Sequence, residues 1–116
     1  MRRLGTSLSL LLATALTFAV TAAVVDAADK PAEVALTIEK QKFEPAEVKV
    51  KANAPFVLVV TNKDSKPAEV ENKDLKVEKV VAPGKTVSIR VRALKPGSYV
   101  FVDDFNKSAQ VKIVAE

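Results

Sequence analysis

The stretch PGKTVSIRVRALKPGSYVFVDD, Pro83 to Asp104, decides the fold. Val87, Ile89 and Val91 alternate with Ser88, Arg90 and Arg92, so an extended segment here is apolar on one face and wet on the other. Two Pro-Gly pairs, Pro83-Gly84 and Pro96-Gly97, bracket it. Proline presets its own φ and glycine supplies positive φ, which makes both pairs turn signals with a mechanism. Beyond the second turn, Tyr99 and Phe101 share a face, and Asp103 falls in phase with them at the rim of whatever core the rings enter.

The same period of two recurs outward from this stretch. Val34, Leu36 and Ile38 alternate with Ala35, Thr37 and Glu39, and Val48 and Val50 alternate with Glu47, Lys49 and Lys51. Phe56 to Val60 is apolar on both faces, which suits a strand in the middle of a sheet, and a last strand runs from Gln110 to Val114. Helical periodicity is almost absent. The stretch from Asn62 to Lys79, with Pro67 and alternating charges, reads as one long irregular connection with room for a short helical turn. About seven short strands with such punctuation predict an all-β, single-domain antiparallel Greek-key β-sandwich. Its expected core is Phe43, Val48, Phe56, Leu58, Val60, Val87, Ile89, Val91, Tyr99 and Phe101.

The 116-residue chain begins with MRRLGTSLSLLLATALTFAVTAAVVDA. Two arginines, an apolar run from Leu8 to Val25 and small residues around Ala27 have the layout of a secretory signal, so 1–27 is read as a cleaved signal and the protein as periplasmic. The run is at the short limit for a membrane span, and Ser9, Thr14, Thr17 and Thr21 interrupt it, which favours a signal over an uncleaved anchor. Residues 28–32 are expected to be a disordered lead-in to a domain at 33–116. No cysteine follows the apolar run, which excludes a lipid anchor through an N-terminal cysteine.

Histidine and cysteine are both absent. That removes disulfides, thiol chemistry, triads with an imidazole base and zinc sites of the His/Cys kind. With no nucleophile motif or Gly-rich loop either, the sequence offers no reaction, and the protein is not expected to be an enzyme. The net charge of +4 falls by one when Arg2, Arg3 and Asp26 leave with the signal, and the remaining cations form no run. Nucleic acid is therefore not an expected partner, and the membrane is expected only through another protein.

Four strings carry a family resemblance: FEPAEVKV (Phe43 to Val50), VVTNKDSKPAEVE (Val59 to Glu71), EKVVAPGKTVSIRV (Glu78 to Val91) and LKPGSYVFVDDF (Leu94 to Phe105). Their order and spacing resemble the small cupredoxin-like domains of bacterial periplasmic iron-uptake systems. The resemblance implies a protein that binds iron, or less readily copper, and works beside an iron permease or a second periplasmic iron protein. Many relatives carry a histidine where this chain has Asn106, in the element matched by Asp104-Phe105-Asn106. A type 1 copper site needs imidazoles and a thiolate, and this chain has none.

Oxygen donors remain. The positions matching the family's proposed metal residues are Glu69 and Asp103, with Glu71, Asp104 and Asn106 as neighbours, and carboxylate and amide oxygens suit hard cations. Each acid could equally be an ordinary exposed residue, and Lys73, Lys76 and Lys107 could pair with them. The competing expectation is a metal-free β-sandwich that serves as a structural or interaction module.

Overall fold

Alternating apolar residues need a second layer to cover them, and the chain supplies it by folding into two sheets over one core. The computed structural model describes residues 30–116, and otherwise only Gly5, Ala15 and Thr17; apart from these three residues the predicted signal lies outside the described residues. Nine strands follow in order: β1 (Ala32–Glu39), β2 (Lys42–Glu44), β3 (Glu47–Val50), β4 (Phe56–Asn62), β5 (Ala68–Asn72), β6 (Val77–Val81), β7 (Thr86–Val91), β8 (Gly97–Asp103) and β9 (Asn106–Ala115). One sheet has the order β2-β1-β4-β7 and the other β3-β9-β8-β5-β6. Most pairs are antiparallel, as expected for a Greek-key sandwich, but β1 with β4 and β3 with β9 run parallel. Ala32, placed in the lead-in by the sequence reading, already pairs with Phe56.

The core draws on both sheets. Leu36, Ile38, Leu58, Val60 and Val91 from the first meet Val70, Val81, Phe101, Val111 and Ile113 from the second. Of the expected core, Phe43, Phe56, Leu58, Val60, Ile89, Val91 and Phe101 are buried, while Val48, Val87 and Tyr99 pack against it partly covered. β4 lies between β1 and β7, the mid-sheet position its apolar sequence suggested, with Phe56, Leu58 and Val60 in the core and Val57 and Val59 half-buried on the other face.

The connection expected between Asn62 and Lys79 is instead largely the β5–β6 hairpin. Asn62 organises its approach: the buried amide donates to the carbonyls of Lys66 (2.8 Å) and Val81 (3.0 Å) and accepts the Asp64 N–H at 3.0 Å. All its polar atoms are thereby used, as burial demands. Two further turns follow their residues. Ala82-Pro83-Gly84-Lys85 closes with a Lys85 N–H to Ala82 carbonyl bond of 3.1 Å, and Gly84 sits at φ 70°, where proline then glycine make a type II turn. At the β1–β2 turn, Lys40 and Gln41 both take positive φ, and Asp64 offsets that strain by accepting their N–H groups at 2.7 and 2.8 Å.

Candidate metal site beside the β8–β9 turn

β5 alternates strictly. Ala68 and Val70 face the core, so Glu69 and Glu71 must face outward, yet each is only 8% exposed. Their cross-strand neighbours account for part of that cover: Val80 lies opposite Glu69, while Glu78 and Val102 lie opposite Glu71.

β8 reaches the same place from the other side. A register shift between Val102 and Asp103 breaks the β8–β9 ladder there. Asp103 turns inward, 5% exposed, and its Oδ1 accepts the N–H groups of Glu69 (2.8 Å) and Phe105 (3.0 Å). Asp104 turns outward, and its N–H donates to the Glu69 carbonyl at 2.8 Å. The backbone of Glu69 is thus clamped on both sides by two consecutive aspartates.

The result is a cluster in which one carboxylate oxygen from each of Glu69, Glu71 and Asp104 lies within 4.8 Å of the others. Lys73 approaches Glu71 and Lys107 approaches Asp104, both at 3.8 Å and both from solvent. Glu69 has no basic partner among the described residues. Burial raises its carboxyl above the ordinary value of 4.5, and the Glu78 carboxyl, as hydrogen-bonding neighbour and like charge, pushes it further, with Asp104 and Glu71 adding to the repulsion. Such a site can take up a proton or a cation, and carboxylate oxygens at this spacing suit a hard cation.

Of the five residues expected to hold a metal, the structure therefore brings together Glu69, Glu71 and Asp104. Asp103 and Asn106 lie apart from them. The Asp103 carboxylate is engaged by backbone N–H groups. Asn106 accepts the Ser108 hydroxyl at 2.8 Å and reaches the Gln41 carbonyl at 3.4 Å. Both line a separate hollow of about 220 Å³ with Gln41, Asp64, Lys66 and Phe105. Glu78 is the member of the acidic group missed from sequence. Its position opposite Glu71 becomes visible only once 68–81 is read as a hairpin. The expected pairing of Lys73 and Lys107 with these acids is found, whereas Lys76 occupies a positive-φ turn position.

Residues 8–115 match the family model of the cupredoxin-like domain. The chain belongs to the cupredoxin-like domain family. This cupredoxin-like chain is also 37% identical over 79 residues to an uncharacterized protein of Rickettsia prowazekii (strain Madrid E), a match covering 68% of this chain and 63% of that one. The chain thus spans less than two thirds of that relative's length. Among solved structures, it resembles the metal-binding domain of the Cu(I)-exporting P-type ATPase CopA of Streptococcus pneumoniae D39, with Cu(I) (TM-score 0.64, 14% identity, 72% of this chain and 84% of that one). It also resembles auracyanin A, a blue copper protein of Chloroflexus aurantiacus (TM-score 0.60, 14% identity, 75% and 100%). A third likeness is to amicyanin of Paracoccus versutus (TM-score 0.54, 25% identity, 77% and 87%).

A type 1 copper centre does not fit the residues present in this cupredoxin-like domain. A type 1 centre requires imidazole and thiolate ligands, the chain has no histidine or cysteine, and its one methionine is Met1. The donor set by the β8–β9 turn is all oxygen.

Proposed function

We propose that this cupredoxin-like domain is a periplasmic accessory of iron uptake that holds iron as cargo through carboxylate oxygens and passes it to a permease or a second periplasmic iron protein. One observation carries the reading. Glu69 is a largely buried residue whose carboxyl sits with those of Glu71, Glu78 and Asp104 and has no basic partner among the described residues, an arrangement that favours uptake of a cation or a proton. The resemblance of four sequence strings to iron-uptake domains supplies the biological setting, and the oxygen donors agree with iron better than with copper(I).

Calorimetric titration of ferrous iron under argon tests this reading, with manganese(II) as a redox-stable stand-in. Micromolar or weaker binding is expected, lost in Glu69→Gln and reduced in Asp104→Asn, because each keeps side-chain shape while removing one charge. Equal heats in the parent and both variants would defeat it. The competing reading, a metal-free interaction module, draws on the two lysines already beside Glu71 and Asp104. It predicts no heat with either ion.

A further inference from the structure

The sheet β2-β1-β4-β7 is covered on one side only. Its inner face meets the other sheet, while the outward residues of β1, β4 and β7 have no layer over them among the described residues: Ala35 and Ser88 are exposed, and Val57 and Val59 are only half-buried. β4 is nonetheless apolar on this face too, the pattern of a strand covered on both sides. The ladder registers sort the outward residues into rows across the sheet. Glu33, Val57 and Arg90 form one row, and Ala35, Val59 and Ser88 form the next. Thr37, Thr61 and Thr86 make the third. The centre of the face is therefore small and uncharged, with opposite charges at the two ends of one row. Glu33 and Arg90 are both exposed, and neither forms an ion pair among the described residues.

We propose that this face is where two copies of the chain meet, sheet on sheet, about a two-fold axis that runs along β4. Such an axis keeps each row at its own height and exchanges its ends, so β1 of one copy lies over β7 of the other, with the strands roughly aligned as packed sheets require. Val57 and Val59 then face their own counterparts, and Ala35 faces Ser88. Glu33 of each copy faces Arg90 of the other, so the row left unpaired in one chain is complementary to itself. Small residues at the centre suit this contact, because sheets packed face to face sit only about 10 Å apart. Other charges lie at the rim. Glu44 extends the threonine row past β1, where the second copy has no strand, and Lys63 follows the end of β4, where it meets its own counterpart at some cost in affinity. Three strands and three rows span about 15 by 20 Å. That is the small end for a specific interface, so the dimer is weak and reversible.

Sedimentation of the purified exported protein over a range of concentrations tests the idea. The parent should pass from monomer to dimer between micromolar and millimolar protein, and added salt should shift it back toward monomer. Glu33→Arg alone and Arg90→Glu alone each set like charges opposite one another at both ends of the row, and each should weaken self-association on the order of tenfold. Mixed in equal amounts, the two variants should associate again, because one carries only cations at the ends of the row and the other only anions. Both positions are exposed, so each variant should melt close to the parent. Recovery on mixing is a result that general destabilisation cannot give. A parent that stays monomeric at millimolar concentration, a dimer indifferent to both reversals, or reversals that mixing does not rescue would overturn the proposal.

Discussion

Asp103 and Glu69 lie side by side at the seam between β8 and β5, each residue more than nine-tenths buried, yet their carboxylates meet opposite surroundings. Asp103, on the core side, accepts two backbone N–H groups and closes the turn. Glu69, on the outer side, has like charges around it and a lysine only on its neighbours. A buried acid that is satisfied serves the fold, whereas one left short of positive charge is a place for something else to bind. Strand alternation produces this contrast by sending two consecutive aspartates to opposite sides, just where the β8–β9 register shifts.

The core side should be costly to disturb. Phe101, fully buried two residues before Asp103, should lose about 3–5 kcal/mol as Phe101→Ala, the usual range for a large core aromatic. Chemical denaturation will measure it, and an unchanged midpoint would show that the inward face of β8 is misassigned.

Asp103→Ala comes next. It strands the Glu69 and Phe105 N–H groups, at about 1–3 kcal/mol for a buried unpaired donor. Asp103→Asn retains an acceptor oxygen and should cost distinctly less. If Asp103→Asn instead abolished manganese(II) binding at unchanged stability, Asp103 would be a ligand and the contrast across the seam would fail.

Much of this was legible in the sequence, and the misses have physical causes. The strands around Val34, Phe56, Val87 and Tyr99 declare themselves because one or both faces carry unbroken apolar residues. β5 does not, although Ala68-Glu69-Val70-Glu71-Asn72 alternates perfectly, because its outward residues are acids and acids usually mean solvent. β6 is harder still. It forms the edge of its sheet, and Glu78, Lys79 and Val80 are exposed in succession, so no period of two survives. The inward phase of Asp103 was readable from Tyr99 and Phe101. That two backbone N–H groups would claim it was not, since one of them comes from a strand 34 residues away.

The smallest expected effect is the most diagnostic of the outer side. Burial and the like charges of Glu78, Asp104 and Glu71 hold the Glu69 carboxyl above its ordinary 4.5, so the folded protein keeps that proton to higher pH than the unfolded chain does. Between those two values folding takes up a proton, and stability therefore falls as pH rises through the window and returns on acidification. Glu69→Gln mimics the protonated state at every pH. It should melt slightly above the parent at neutral pH, and the gap should close as the pH drops toward 4.5. Saturating manganese(II) should close the same gap from the other direction, by raising the parent and leaving the variant where it was. If Glu69→Gln melts below the parent at neutral pH without metal, Glu69 already has a stabilising partner in the folded protein, and the two sides of the seam do not differ in the way the geometry implies.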